Sequence, residues 1–246
     1  MPRRSQELAE FRDNGFVVLK NYLSTPQIDA IGESLACFMA GREASHGLRN
    51  VLLLLPKIRG ILAEAEAENT ASFFASRTVS PVKSIFFDKV PGKNWFVPWH
   101  QDLTVALKSR EQAGGFANWT SKAGACHAEA PLSLLQSMVT IRFHLDESGP
   151  NNGGLIVLRG SQKLGRIKRQ DIRKLIGATI DRPVAFPVHC DSGDLLVMSP
   201  LLLHSSARSR NLLPRRVLHI EYAPLGDLPE PLKWAQDPRQ SCGQTT

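Results

Sequence analysis

The sequence predicts a mainly β fold, a barrel or a sandwich, with helices in its N-terminal third. Helix-like apolar spacing is concentrated in residues 5–70, whereas short apolar strands separated by turn residues dominate from Gln136 onward. The 246 residues suit one domain of this kind, and the chain shows no linker, internal repeat or low-complexity tract. We therefore expect a single domain over residues 1–246.

The helices of the first third are predicted from capping residues and apolar spacing. Gly15 separates an amphipathic helix from a short apolar run. Ser24 has an N-cap side chain and Pro26 lies in the first turn that follows, which together favour a helix to about Ala40. The predicted elements are a helix at residues 7–11, a strand at 16–19, a helix at 25–40 and a helix at 57–70.

The strands are predicted from short apolar or alternating runs that end in turn residues. Pro91 and Gly92 end one such run, and residues 151–154 form a tight turn between two others. A helical pattern at 169–177 interrupts the series. The predicted strands are residues 82–90, 96–102, 138–146, 155–158, 184–188, 194–198 and 217–222.

A long polar segment at residues 107–135 lacks a clear pattern and contains Gly114, Gly115 and Gly124. Long irregular segments within compact domains are often lids or binding loops, so a lid is one prediction. A disordered surface insertion is the alternative. If the segment is a lid, His127 and Trp119 are its candidates for substrate contact, with ordinary packing as the alternative for Trp119.

Composition excludes several classes of protein. The net charge of +7 permits attraction of acidic partners, but no nucleic-acid-binding motif accompanies it. No run approaches the roughly 18 apolar residues of a membrane span, and no apolar segment follows the basic N-terminus as in a signal peptide. The four cysteines lack CxxC spacing, which is typical of free thiols in a reducing compartment. We therefore expect a cytoplasmic protein that binds neither nucleic acid nor membrane.

The motif with the clearest chemistry is Trp99-His100-Gln101-Asp102. On an extended segment, His100 and Asp102 point to the same side because strand side chains alternate. His204 follows an apolar run about a hundred residues later. Two imidazoles and one carboxylate on one face of a metal form the triad of non-haem Fe(II) oxygenases, which leaves the opposite face open. We predict that His100, Asp102 and His204 are the metal ligands and the catalytic centre.

A basic residue downstream of His204 fits a 2-oxoglutarate cosubstrate. This dicarboxylate would chelate the metal at one end and need a guanidinium at the other. Arg215 and Arg216 begin a strand eleven and twelve residues after His204. If helices cover the apolar face of that strand, Arg215 faces the pocket; if the apolar face lines the interior, Arg216 does. Arg215 is the predicted anchor.

The chain resembles the phytanoyl-CoA dioxygenase family of Fe(II)/2-oxoglutarate oxygenases along nearly its whole length. The start at residues 11–18 is similar to the family's opening helix and strand, and residues 87–92 with 99–102 resemble its first ligand segment. Residues 151–162 resemble its NNG-L-x-V-x-PGSH stretch, and His204 and Arg215 have its ligand and anchor spacing. Arg159 and Gln162 depart from the usual Pro and His, which affects the turn and not the ligands.

The resemblance implies a double-stranded β-helix, of the jelly-roll or cupin-like barrel type. It implies Fe(II), 2-oxoglutarate and O2 as cofactor and cosubstrates, with succinate and CO2 as coproducts of the oxidation of a small molecule. Halogenases of the family replace the ligand carboxylate with a small residue, so Asp102 favours a hydroxylase. The alternatives are a cupin-type metal enzyme that does not use 2-oxoglutarate and a non-enzymatic small-molecule-binding protein on the same fold.

Further site candidates come from the polar face of the predicted 138–146 strand and from the resemblance. Thr140 and Arg142 are candidates for contact with 2-oxoglutarate, and His144 for contact with substrate, with a solvated strand face as the alternative. Gln101 points away from the ligands by strict alternation, but the resemblance implies a glutamine near the cosubstrate. Lys83 and Lys89 are weaker candidates, with surface lysine as the alternative.

Overall fold

The computed structural model describes residues 2–42, 47–89, 94–122, 124–178, 185–210 and 213–236. Within these ranges, most helices lie in the first third of the chain and most strands follow them. The helices are α1 (Pro2–Asn14), α2 (Thr25–Met39), α3 (Val51–Leu54), α4 (Pro56–Glu64), α5 (Ala67–Ala75), α6 (Leu132–Ser137) and α7 (Arg169–Ala178). The strands are β1 (Phe16–Leu19), β2 (Leu48–Arg49), β3 (Ser80–Lys89), β4 (Val97–His100), β5 (Thr104–Leu107), β6 (Ala117–Lys122), β7 (Ala125–Glu129), β8 (Val139–His144), β9 (Leu155–Leu158), β10 (Ala185–Pro187), β11 (Leu195–Met198), β12 (His204–Ser206) and β13 (Arg215–Ala223).

The strands form two main antiparallel sheets. The larger has the order β1-β11-β8-β13-β3-β2, and the smaller has the order β10-β9-β12-β4. A third sheet, β5-β7-β6, is formed by the part of the chain that runs from β4 to α6. These sheets and the helices α1 to α5 confirm the predicted class, mainly β with flanking helices.

The helices cover one face of the larger sheet. Every second residue is apolar from Val139 to Phe143 in β8 and from Leu218 to Tyr222 in β13, and these side chains join the helix side chains in the main hydrophobic cluster. The polar residues in between therefore point to the other face, toward the smaller sheet. The residues that meet across this contact include Ile31, Leu35, Ile58, Leu62, Ile141, Phe143, Leu218 and Ile220.

Helix α2 begins where the capping residues predict. The Ser24 amide donates a hydrogen bond to Gln27 Oε1 at 3.0 Å, and the Ser24 hydroxyl donates to the same atom at 2.9 Å. The predicted 57–70 helix is instead two helices, α4 and α5, separated at Glu66 in a left-handed conformation (φ 54°). The Tyr22 hydroxyl donates to the Ala65 carbonyl at 2.7 Å, so a distant side chain satisfies the carbonyl at this break.

The 107–135 segment contains the end of β5, strands β6 and β7 and most of α6, so the alternative of a disordered insertion is wrong. The side chains of β6 are mostly polar and almost all exposed, so its sequence lacks the apolar alternation that predicts a strand. Its order comes from pairing with β7, a strand with buried residues. Lys83 of the larger sheet donates to the Thr104 carbonyl at 3.2 Å, which places β5 beside β3. A lid role for the segment stays a prediction.

Three of the four cysteines, Cys37, Cys126 and Cys190, are free thiols, as predicted. Cys242 lies outside the described residues, as do the predicted turn at 91–92 and the start of the predicted 184–188 strand. Among the described helices, none has the length and apolar character needed to cross a membrane.

Candidate active site

A cavity of about 90 Å³ lies between the larger and the smaller sheet. Its wall is rich in ionisable groups, which marks a functional-site candidate. The polar residues on its wall are Lys83, Lys89, His100, Asp102, Arg142, His204, Ser206, Arg215, His219 and Glu221.

His100, Asp102 and His204 meet at this cavity, as the sequence predicts. One ligand atom from each lies within 4.8 Å of the others. His100 ends β4, and its Cα pairs in register with that of His204 at the start of β12. The strand stops two residues earlier than predicted, and the Asp102 amide instead donates to the Pro200 carbonyl at 2.9 Å. Asp102 therefore reaches the site from the turn after the strand.

Hydrogen bonds to carbonyls fix the tautomers of both histidines. His100 Nδ1 is 2.8 Å from the Pro98 carbonyl, and His204 Nδ1 is 2.9 Å from the Leu202 carbonyl. A carbonyl only accepts, so each Nδ1 carries the proton and each Nε2 keeps its lone pair. Those Nε2 atoms lie 3.6 and 3.7 Å from the Asp102 carboxylate.

This arrangement fits a divalent metal ion. Backbone acceptors on the distal nitrogens are the usual way that proteins orient metal-binding histidines. Asp102 Oδ2 is buried and has no hydrogen-bond partner among the described residues, which an ion would correct. Two imidazole nitrogens and one carboxylate are the donor set that suits non-haem Fe(II).

A second group of potential ligands, Asp102, His219 and Glu221, also lies within 4.8 Å. Here the hydrogen bonds oppose metal binding. Arg142 can only donate, so at 3.0 Å it requires His219 Nδ1 to accept, and the ring proton is then on Nε2, facing Glu221 Oε1 at 3.3 Å. Lys83 is ion-paired with the same Glu221 oxygen at 2.6 Å. The triad with His100 and His204 is therefore the better metal site.

A cationic region lies at another part of the cavity wall. Arg215 is 3% exposed, and its Nε has no hydrogen-bond partner among the described residues. Lys89 is 1% exposed and donates to Ser206 Oγ at 2.7 Å and to the Ala207 carbonyl at 2.6 Å. Burial, followed by the charges of Arg215 and Arg142, lowers the pKa of Lys89 to about 7. Buried cations that form no ion pair with any described residue favour an anionic ligand.

In this cationic region, the sequence analysis did not predict Ser206 and treated Lys89 only as a weak candidate. Lys89 is not a surface residue, because its place on β3 puts it opposite Arg215 in register. Ser206 was not a candidate, although it lies two residues after His204 on β12 and so shares its face. That spacing is the signal that would have identified it.

Arg216 points away from the cavity. Its guanidinium forms a two-point ion pair with Asp146, at 2.9 Å from Nε and 2.7 Å from Nη2. The strand therefore has the orientation that the covering helices require, with Arg215 inward. The role of Arg215 as anchor stays a prediction at this point.

The β8 candidates divide into two groups. Arg142 lines the cavity, so a solvated strand face is the wrong alternative for it. Thr140 and His144 share its inward face and are buried, but neither is part of the cavity wall. Thr140 Oγ1 and His144 Nδ1 have no hydrogen-bond partner among the described residues. Burial, then Arg142 and Arg215, holds the pKa of His144 well below its usual value.

The geometry does not support cofactor contact by Gln101. Its amide nitrogen donates to the Leu201 and Gly165 carbonyls at 2.6 and 2.8 Å, and its oxygen accepts from the Ile167 amide at 2.8 Å. It lies on the side of the chain opposite the ligands, as strict alternation predicts, and outside the cavity wall. Gln101 instead joins two backbone segments, at residues 165–167 and at Leu201, behind the metal ligands.

Gln101→Leu should lower the free energy of unfolding by about 3 kcal/mol, because it leaves the Ile167 amide and the Leu201 and Gly165 carbonyls without this hydrogen-bond partner. Urea unfolding followed by circular dichroism measures this loss. Gln27→Leu, which removes an exposed helix cap, is the matched control and should cost about 1 kcal/mol. Equal losses in the two variants would contradict this role for Gln101.

The two candidates in the 107–135 segment lie outside the cavity wall. His127 is buried on β7, and burial, with a smaller contribution from Lys83, lowers its pKa to about 4. Trp119 on β6 packs against a separate hydrophobic cluster that includes Val105 and Trp234. The packing alternative thus describes Trp119, and neither residue has a demonstrated contact with a ligand site.

The chain is similar to known proteins in family and in fold. The family model described as phytanoyl-CoA dioxygenase (PhyH) matches residues 11–217. No curated protein sequence matches the chain.

Among solved structures, AviO1 from Streptomyces viridochromogenes Tue57 is 21% identical, with a TM-score of 0.68 over 92% of this chain and 97% of that one. EctD from S. alaskensis with 2-oxoglutarate and 5-hydroxyectoine is 18% identical, with a TM-score of 0.67 over 90% and 76%. The epimerase SnoN in complex with Fe3+, alpha ketoglutarate and nogalamycin RO is 13% identical, with a TM-score of 0.68 over 91% and 84%. These similarities confirm the predicted double-stranded β-helix class.

Proposed function

Because this chain belongs to the phytanoyl-CoA dioxygenase family, we propose that it is an Fe(II)- and 2-oxoglutarate-dependent oxygenase that hydroxylates or otherwise oxidises a small molecule. Fe(II) and 2-oxoglutarate are the cofactor and cosubstrate of that family. The observation that carries the proposal is the single cavity wall that combines a two-histidine, one-carboxylate set with a buried cationic region.

His100, Asp102 and His204 would hold the iron from one side and leave its other positions open. When bound, the iron supplies activation of O2 for substrate oxidation, coupled to conversion of 2-oxoglutarate to succinate and CO2. The chain's own contribution is geometric. The Pro98 and Leu202 carbonyls hold both imidazoles in the ligating tautomer, and Asp102 retains the carboxylate whose loss would favour halogenation.

Arg215, Lys89 and Ser206 would bind the distal carboxylate of 2-oxoglutarate. Ser206 lies two residues beyond His204, so their Cα atoms are separated by roughly 7 Å along the strand. This spacing suits a five-carbon dicarboxylate with one end at the metal and the other at the cations. The Arg215 guanidinium supplies the two-point geometry for a carboxylate, and the Lys89 ammonium a third donor.

The two alternatives make less use of these residues. A cupin-type metal enzyme without 2-oxoglutarate needs the triad but has no use for a buried Arg215 and Lys89. A non-enzymatic binding protein has no use for histidines held in the ligating tautomer. We further propose a small-molecule substrate and a cytoplasmic location, the latter supported by the free thiols of Cys37, Cys126 and Cys190.

Anaerobic titration of the protein with Fe(II) and 2-oxoglutarate tests the proposal directly. The expected result is a visible metal-to-ligand charge-transfer band that saturates with 2-oxoglutarate. Fe(II) binding without the band would favour the enzyme that does not use 2-oxoglutarate, and no Fe(II) binding would favour the non-enzymatic protein. Succinate release then serves to screen substrates.

The affinity for 2-oxoglutarate should fall with rising pH. Lys89 has a pKa of about 7 without ligand, and a bound carboxylate raises it. Below pH 7 the ammonium is already formed; above it, binding must take up a proton, so Kd should increase by roughly tenfold between pH 6.5 and 8.5. Titration of the band at each pH measures this, and Lys89→Met is the control. A variant that keeps the same slope would show that another group titrates.

A further inference from the structure

Arg142 is a buried cation that the proposed function leaves without a partner of opposite charge. It is 5% exposed and lines the cavity, and its Nη1 donates to His219 Nδ1 at 3.0 Å. Its Nε is buried without a hydrogen-bond partner, and none of the described carboxylates forms an ion pair with it. Burying a guanidinium without an anion is unfavourable, so an anionic ligand would complete this site.

The hydrogen bonds behind Arg142 show why its charge is uncompensated. Because His219 accepts from Arg142, its ring is neutral and its Nε2 proton faces Glu221. Glu221 is already ion-paired with Lys83 at 2.6 Å. The row therefore orients the Arg142 side chain through a neutral ring. Of the two carboxylates on the wall, Glu221 is neutralised by Lys83 and Asp102 is the proposed metal ligand.

The charges on the cavity wall lead to the same conclusion. Four basic side chains, Lys83, Lys89, Arg142 and Arg215, face two carboxylates, Asp102 and Glu221. Fe(II) would add two positive charges and 2-oxoglutarate would remove two, so binding of both leaves the excess of positive charge unchanged. A further anionic group is needed to reduce it.

Arg142 lies on a different strand from the proposed anchor Arg215, although, after burial, its charge helps to lower the pKa values of both Lys89 and Arg215. Its Cα pairs in register with that of His219, four residues from Arg215, which corresponds to roughly 13 Å along β13. The distal carboxylate already has Arg215, Lys89 and Ser206, and the other end has the metal. Arg142 lies instead on the wall with His219 and Glu221, next to the metal ligand Asp102.

We propose that Arg142 binds a carboxylate group of the substrate that the enzyme oxidises, an inference that rests on the proposed function. The substrate class is then a small carboxylic acid, and not a neutral lipid, sugar or ester. A guanidinium and a carboxylate match in shape and form two parallel hydrogen bonds. Arg142 selects the substrate. The row of His219, Glu221 and Lys83 positions the Arg142 side chain.

Calorimetric titration of the anaerobic Fe(II)–2-oxoglutarate complex with butanoate and with butanamide tests the proposal. The two probes have the same size, and saturating 2-oxoglutarate fills the Arg215 region. Butanoate should bind the wild-type protein at least tenfold more tightly than butanamide. In Arg142→Gln this preference should fall below threefold, while the affinity for 2-oxoglutarate, read from the charge-transfer band, changes less than threefold. Arg216→Gln is the matched control and should keep the preference.

Three results would overturn the proposal: equal binding of the two probes to the wild type, an unchanged preference in Arg142→Gln, or a tenfold loss of 2-oxoglutarate affinity in that variant. If Arg142→Gln does not fold, Arg142→Lys, which keeps the charge, should keep the preference for butanoate, and equal binding of the two probes to the wild type still overturns the proposal. Absence of the charge-transfer band would contradict the proposed function instead. The two probes can then be compared on metal-free Arg215→Gln, which retains Arg142 and lacks the other guanidinium.

Discussion

Arg215→Gln should weaken binding of 2-oxoglutarate by two orders of magnitude or more, whereas Arg216→Gln should change it less than threefold. Removing one partner of a buried, hydrogen-bonded charge pair costs about 3–5 kcal/mol, because the other charge is left buried and unpaired. Arg215 is 3% exposed in the cavity wall, whereas the side chain of Arg216 is 36% exposed and bound to Asp146. Anaerobic titration of the charge-transfer band gives both dissociation constants.

The same pair of variants separates binding from folding. Arg216→Gln breaks a partly exposed ion pair and should lower the free energy of unfolding by up to about 1 kcal/mol. Arg215→Gln removes an uncompensated buried charge, so it should leave the protein without ligand as stable as the wild type or more stable. Loss of 2-oxoglutarate binding in Arg216→Gln, with binding retained in Arg215→Gln, would show that the wrong arginine was chosen.

The choice between Arg215 and Arg216 was accessible from sequence because it depends on local alternation and on one tertiary fact. The apolar residues Leu218 and Ile220 had to be covered by helices, and the helical N-terminal third made that the simplest arrangement. Helix α2 was accessible for a similar reason, since Ser24 and Pro26 carry its start signal within three residues.

Features that depend on distant partners were not accessible in the same way. The break at Glu66 is accompanied by a hydrogen bond from Tyr22 to Ala65, more than forty residues away in sequence. Strand β6 is polar and exists through its pairing with β7, so its own pattern predicts a loop. Gln101 shows the opposite error: alternation gave its direction, and the family resemblance overrode it. Its partners are backbone groups at residues 165, 167 and 201, which no local pattern reveals.

The site illustrates the same division. His100, Asp102 and His204 were identified because metal ligands are restricted in residue type and spacing. The Lys83–Glu221–His219–Arg142 row was not identified as a unit, because it joins β3, β8 and β13 through side chains whose partners depend on register. Hydrogen-bond direction within that row, and not residue type, decides which cluster around Asp102 can bind a metal.

His204→Gln should abolish the stabilisation of the protein by Fe(II), whereas His219→Gln should retain it. Both rings are buried and both lie near Asp102, so the pair is matched for position and size. A ligand that binds only the folded state stabilises it by about 2.7 kcal/mol at a hundredfold excess over Kd. His204 offers an Nε2 lone pair because its one ring proton is on Nδ1 and is donated to the Leu202 carbonyl, whereas His219 directs its Nε2 proton at Glu221.

Thermal unfolding with and without anaerobic Fe(II) measures this difference without any need for a substrate. We expect a higher unfolding midpoint with Fe(II) in the wild type and in His219→Gln, and no change in His204→Gln. The metal-free midpoints of the variants report any loss of packing separately. If His219→Gln loses the response and His204→Gln keeps it, the metal binds the Asp102–His219–Glu221 group. The proton positions inferred from Arg142 and Lys83 would then be wrong.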